Sequence, residues 1–251
     1  MTPLLRRLLP LLATALLVPA LALAAPQGPT VDTSGLSDLL RRYTVVVSRP
    51  GEPYDTRFDY EQLYVDERIY GHNESRTLSG IRDQLLSVDP ADMSPADRTA
   101  WALNLYRFMV IERITLHLLV PNRKFLRYQS VDQMAYGEGR FFDAPVLTLD
   151  GRTYSLDAFE RRMVYGDTAT DLMEPRARAG DPRLMFALSR GIAGGPPPLP
   201  WVFSGDSLSA QLDRATRIAL ALPRIARADE STRSLRFSEY VWSFRADYGG
   251  A

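Results

Sequence analysis

Asp157, Glu160, Arg183 and Arg190 are the residues in this chain whose types and spacing best suit chemistry. A carboxylate beside a guanidinium can serve as general acid or base while the arginine steadies an oxyanion, as an amide or ester hydrolase requires. The same groups can form a structural ion pair with no turnover at all. Glu160 decides more than the others. At the helical stride it projects about 40° from Leu156, onto the apolar stripe with Phe159 and Met163. An inward carboxylate must be paired or neutral, and Arg183 is the partner expected here, tying two helices together. Asn104 is a second inward polar residue, with Arg107 and Thr115 within about 80° of its face. One buried amide can hold a backbone loop by donor and acceptor together, the expected use; orienting a substrate is the alternative. Ser189 is a weaker nucleophile candidate, because a serine needs a base. The chain has only two histidines: His117 on an apolar helix and His72 in a Gly-His-Asn-Glu loop. With so few histidines and no cysteine, no metal site is expected. The absence of a phosphate-binding glycine motif, a dinucleotide fingerprint or zinc spacing likewise gives no reason to expect a cofactor.

The elements that must position these residues read as helix-predominant α+β, one domain with a small β-hairpin or sheet. Ser37 or Asp38 can cap a short helix through Leu39, Leu40 and Tyr43, leading into an extended Thr44–Ser48. Residues 60–64 fit either a loop or a short helix. Leu78, Ile81, Leu85 and Leu86 recur at helical spacing. Ser94-Pro95-Ala-Asp97 carries three start signals, a capping serine, proline at the first position and an acid in the first turn. The helix it opens is apolar on most sides from Ala100 to Val120 and should cross the core. Asp150-Gly151 between Pro145–Leu149 and Thr153–Tyr154 predicts a hairpin. Ser155 caps a helix over Leu156–Tyr165, and Asp181-Pro182 starts one that ends at Gly191, with Ser189 and Arg190 in its last turn. Ser207–Leu222 is amphipathic, and Arg233–Phe237 is a late strand followed by Tyr240-Val-Trp242. The stiff stretch Gly194–Pro200 suits either a polyproline ligand or, the better fit, a wall packed on the chain's own core.

Residues 1–24 read as a signal peptide: Arg6 and Arg7, an apolar run over Leu8–Leu21 broken by Pro10 and Pro19, then Ala22-Leu23-Ala24. Cleavage after Ala24 or Ala25 is expected, with a retained N-terminal anchor as the alternative and no membrane span after cleavage. Residues 25–36 form a linker and residues 37–251 the domain. The destination is periplasmic or secreted. No disulfide is available in a chain without cysteine, so burial alone must hold the fold. The chain has 30 basic and 30 acidic residues, and losing Arg6 and Arg7 leaves a net charge of −2. That balance argues against nucleic acid or an anionic membrane as the main partner.

Five blocks in order resemble the family called domain of unknown function 547. Arg98–Phe108, with Trp101, Asn104 and Tyr106, is similar to its A-F-W-x-N-x-Y-N. Asp150–Glu160 is similar to G-x-x-x-S-L-x-x-I-E-H, and Asp181–Pro200 to D-P-R-x-H-F-A-L-x-C-G-x-x-x-C-P-x-L. Leu208–Asp213 resembles L-x-x-Q-L, and Leu235–Gly249 the closing L-S-x-x-F-x-W-Y-x-x-D-F-G. The family's His and Cys positions imply a distant papain-like or transglutaminase-like relationship. Here Arg161 and Met185 stand at the two His positions, and Arg190 and Gly195 at the two Cys positions. Without thiol or base, the resemblance implies a member that has lost the family's reaction.

The leading expectation is therefore an exported, non-catalytic protein. It would bind a peptide, an envelope component or a protein partner in a cleft among Asn104, Glu160, Arg183 and Arg190. One alternative is an amide or ester hydrolase using Glu160 or Asp157 as acid/base, with Arg183 or Arg190 at the oxyanion. Another is a structural envelope protein with no ligand.

Overall fold

A computed structural model describes residues 30–70, 78–119, 131–136, 139–166 and 180–245. His72 falls outside them. The chain enters through α1 (Ser34–Tyr43), whose leucines 36, 39 and 40 and Tyr43 are buried. This helix starts three residues before the expected Ser37, because the Asp32 carboxylate accepts from Ser34 N (2.9 Å). Strands β1 (Thr44–Val46) and β2 (Thr56–Phe58) pair antiparallel, and α2 (Tyr60–Tyr70) resolves the ambiguous 60–64 stretch as helix. After α3 (Leu78–Leu85), a single 3-10 turn over Pro90–Asp92 leads to α4 (Pro95–Leu119). The predicted start of α4 is made by Ser94, whose hydroxyl accepts from Asp97 N (3.1 Å) and donates to the Asp97 carboxylate (2.6 Å). This cap satisfies one of the donors that the first turn leaves open, and the Asp97 carboxylate orients the capping hydroxyl.

Helix α4 is the axis of the domain. Its residues 100–115 are all buried, and α2, α3 and the segments 156–164 and 205–207 pack against it. Two short pairs come next: β3 (Ala135–Tyr136) with β4 (Gly139–Arg140), and β5 (Pro145–Leu149) with β6 (Arg152–Ser155). The second is the expected hairpin, turning through Asp150 (φ 48°) and Gly151 (φ 73°), the positive-φ pair of a two-residue turn. The helix expected over Leu156–Tyr165 splits into α5 (Leu156–Phe159) and a π turn over Glu160–Val164. Helix α6 (Leu184–Ala187) is a single turn, not the helix to Gly191 that Asp181-Pro182 predicted; Leu188 is already extended. Helix α7 (Leu208–Leu220), the hairpin of β7 (Ala226–Asp229) with β8 (Ser234–Phe237), and α8 (Glu239–Ser243) complete the described chain. The described strands form four separate two-stranded antiparallel sheets, so the fold is α+β with helix predominant. No described helix is long and apolar enough to cross a membrane.

The Gly194–Pro200 stretch packs inward. Pro196, Pro197 and Leu199 are buried, and the Pro198 carbonyl accepts from the Thr56 hydroxyl. The Tyr43 phenol donates to Asp66 (2.6 Å) beside a 460 Å³ cavity lined by α1, Leu63, Glu67 and Ile81. Burial, then the Asp66 carboxylate, pushes the Tyr43 phenol up to about 12. The folded state thus holds this proton more tightly than the unfolded chain. Its contribution to stability is complete below pH about 10, the ordinary phenol value, and is lost as pH climbs towards about 12. Urea midpoints should fall across that window, and Tyr43→Phe should flatten the fall.

Candidate functional site

Glu160 stands where two turns of different pitch meet. Ser155 caps α5 by accepting from Ala158 N (3.2 Å), and Tyr165 N reaches back to Glu160 O (3.1 Å) to close the π turn. A π turn inserts one residue into the helical stride and re-aims side chains, which is why such turns gather at functional sites. The Glu160 side chain points inward and is 1% exposed.

Its partner is Arg190, not Arg183. Arg190 Nη1 donates to Glu160 Oε2 (2.5 Å), Nη2 donates to Asp157 Oδ1 (2.6 Å), and the guanidinium lies 4.1 Å over the Phe142 ring. Phe142 is itself fixed, since its carbonyl accepts from Asp157 N (3.2 Å). Arg190 reaches this position because α6 stops early. The chain runs extended through Leu188 and then turns at Gly191 (φ 69°), where a Cβ would meet Ile114 Cδ1 at 3.1 Å. Positive φ and this close approach both call for glycine. Burial works against the Arg190 charge, but Glu160, Tyr106 and Asp157 hold its pKa well above the ordinary value. Tyr106 lies under the cluster, fully buried, and its hydroxyl has no hydrogen-bond partner among the described residues. Burial pushes that phenol well above its usual value while Arg190 pulls it back.

Asn104 and Arg183 are engaged elsewhere. The Asn104 amide donates to Phe203 O (2.8 Å) and accepts from Phe203 N (2.9 Å), closing on one backbone unit. One helical turn on, buried Arg107 donates to Trp201 O (2.9 Å) and Leu199 O (2.5 Å) and lies 5.3 Å over the Phe203 ring. Arg107 has no carboxylate partner among the described residues, and burial pulls it down to about 9, still charged at neutral pH. Arg183 joins Asp181 (2.5 Å) to Asp213 on α7 (2.5 Å), and both acids raise its pKa. Asp181 is held below its ordinary value by the Arg183 hydrogen bond, against a smaller opposing effect of burial.

The structure therefore brings Asp157, Glu160 and Arg190 together and leaves Asn104 and Arg183 outside the cluster. Sequence reasoning missed Phe142 and Tyr106 as members. Phe142 carries no motif, whereas Tyr106 lies in the Trp101–Asn104 block, two residues past the asparagine that drew notice. Beyond the Tyr43 cavity, a 530 Å³ space lies between α4, the π turn and α7, and a 120 Å³ space lies at Asn104 and Phe203. None of the three contains Glu160, Arg183 or Arg190. Chemically, the two acids share one guanidinium. His117 is buried on α4, and Ser189 makes no hydrogen bond to it.

The family model described as "Protein of unknown function, DUF547" matches residues 90–218, just over half the chain. The chain belongs to this family. The matched stretch of this DUF547 chain holds the Trp101, Ser155, Asp181 and Gln211 blocks; the closing block from Leu235 lies beyond it. Comparison with curated proteins gives no match, and comparison with solved structures gives none. The papain-like or transglutaminase-like relationship thus remains an implication of the resemblance. At the DUF547 positions read from the sequence, Met185 is buried at 1% and its carbonyl accepts from the Tyr240 hydroxyl (2.8 Å). Gly195 is buried too, and a Cβ there would come within 3.0 Å of Ile192. Arg190 fills the first Cys position with the guanidinium that Glu160 and Asp157 bind.

Proposed function

We propose that this DUF547 chain is an exported, non-catalytic binding protein for a peptide, an envelope component or a protein partner. The observation that carries the reading is the Arg190 guanidinium, clamped by Glu160 and Asp157 at the position where the family resemblance places a thiol. A nucleophile needs an adjacent base, and an acid/base carboxylate needs an oxygen turned to substrate. Here each acid gives an oxygen to the same arginine, and Glu160 is out of reach of solvent. Recognition at this place then falls to the part-exposed Asp157, at 42%. The export half of the reading rests on Arg6, Arg7, the broken apolar run and Ala22-Leu23-Ala24.

Two measurements test it. The purified mature chain should turn over neither amide nor ester substrates above background; turnover that Glu160→Gln abolishes in a folded protein would establish the hydrolase instead. Cell fractionation should find the chain outside the cytoplasm only when residues 1–24 are present; cytoplasmic retention of the full chain would overturn export.

A further inference from the structure

The overall charge balance hides a strong segregation near the end of the chain. Residues 214–245 contain seven arginines and three acids, a net charge of +4, although the whole sequence is neutral. Three of these arginines are engaged, Arg224 with Asp55 (2.5 Å), Arg214 over the Trp201 ring (4.4 Å) and Arg245 over the Trp242 ring (5.2 Å). Arg227, Arg233, Arg236 and Arg245 are exposed. The same stretch holds four of the eight large hydrophobics exposed among the described residues: Leu220 (39%), Leu235 (67%), Phe237 (48%) and Trp242 (61%).

We propose that β7, β8 and α8 form a peripheral docking surface for an anionic lipid membrane. Pairing of Ala226 with Phe237 and Ala228 with Leu235 puts these four residues on one face of the ribbon. On the other face Arg227 stands directly opposite Arg236. Like charges in that relation repel across a strand pair, and a phosphate between them removes the repulsion. A two-stranded ribbon is thin enough to enter the headgroup layer with β8 leading. Leu235 and Phe237 then reach the acyl boundary on one side, while the arginines turn their heads to phosphate on the other. Trp242, with the Arg245 guanidinium 5.2 Å from its ring, adds the aromatic residue that membrane interfaces favour. Of the acids here, Asp229 is taken up by Ser231 and Thr232 in the hairpin turn, leaving Glu230 and Glu239 exposed. Leu235 and Phe237, exposed on one face of the ribbon, make lipid a better fit than a purely ionic polyanion, to which an aliphatic side chain offers nothing. The inference gives a chemical identity to the envelope component of the proposed function and rests on it only for which membrane is met.

The test uses the purified mature chain with sedimentable vesicles, one set containing phosphatidylglycerol and one of phosphatidylcholine alone. Binding is expected to the anionic set, weakened by salt. Removing each of Arg227 and Arg236 as Gln should weaken it about fivefold, and Leu235→Ser with Trp242→Ser at least about tenfold. Because those side chains are exposed, the variants should keep the wild-type far-ultraviolet dichroism. Wild-type tryptophan emission should shift to the blue on binding, and Trp242→Phe should bind while losing that shift. The proposal is overturned by failure to bind anionic vesicles, by binding that these substitutions leave unchanged, or by a dimer that Trp242→Ser dissolves. Such a dimer would assign the surface to a second copy, and saturable binding of an acidic protein without vesicle binding would assign it to that partner. Purified protein meets vesicles whatever its cellular address, so a negative result counts against this surface, while fractionation alone bears on export.

Discussion

Arg190→Ala is expected to cost the folded state about 3–5 kcal/mol in a urea titration. The guanidinium is 14% exposed, the Glu160 side chain 1%, and α5 and the π turn meet the 188–190 segment through this contact. Truncation deprives a carboxylate buried under the π turn of its nearest positive charge and opens space beside Phe142. Both losses fall on the native state alone. The Asp157 arm contributes little, since that carboxylate is 42% exposed and a solvated pair is worth about 0–1 kcal/mol. Arg183→Ala, removing an arginine bound to two part-exposed acids, should cost about 1 kcal/mol or less. The ratio between the two variants is informative, because the sequence alone pointed to Arg183 as the buried partner.

The second large effect is expected at the staple between α4 and the segment 199–204. Asn104→Ala with Arg107→Met should cost about 4 kcal/mol or more, at about 1–3 kcal/mol for each buried polar group left without a partner. The variant strands the Phe203 N–H and carbonyl and the carbonyls of Leu199 and Trp201. Its local signature is sharper than its global one. Hydrogen exchange at the Phe203 amide should accelerate to the rate of an open loop, while amides in the middle of α4 quicken only as far as the loss of global stability requires. Unchanged protection at Phe203 would show that the proline-rich segment is held by packing instead.

What was legible in the sequence was local. Ser94-Pro95 fixed the start of α4 because a cap and a proline act on the turn they occupy, and Asp150-Gly151 fixed the hairpin because only such residues accept its positive φ. The inward aim of Glu160 was also readable, since α5 keeps the helical stride as far as Phe159. Its partner was not readable. Asp181 bonds Arg183 two residues away, and Asp213 draws the same arginine towards α7, thirty residues on in the chain. With α6 cut to one turn, Arg190 rather than Arg183 swings under the π turn. Neither the π turn nor the early stop leaves a periodic trace. Strand β7 escaped for a related reason: Ala226-Arg-Ala-Asp229 has small residues on its apolar face and so reads as loop. The run of arginines over residues 214–245 left no mark on the overall balance, because a neutral total says nothing of where arginines collect.

The most direct measurement of the central claim, that Glu160 and Arg190 are a structural lock, is a thermodynamic double-mutant cycle on that pair. Glu160→Met and Arg190→Met are each expected to destabilise strongly. The double variant should return to within about 1 kcal/mol of wild type, because apolar side chains of similar volume can replace a buried pair. Single effects that simply add, with the double variant less stable than either one, would contradict the lock and leave the two residues without a shared role in holding the fold.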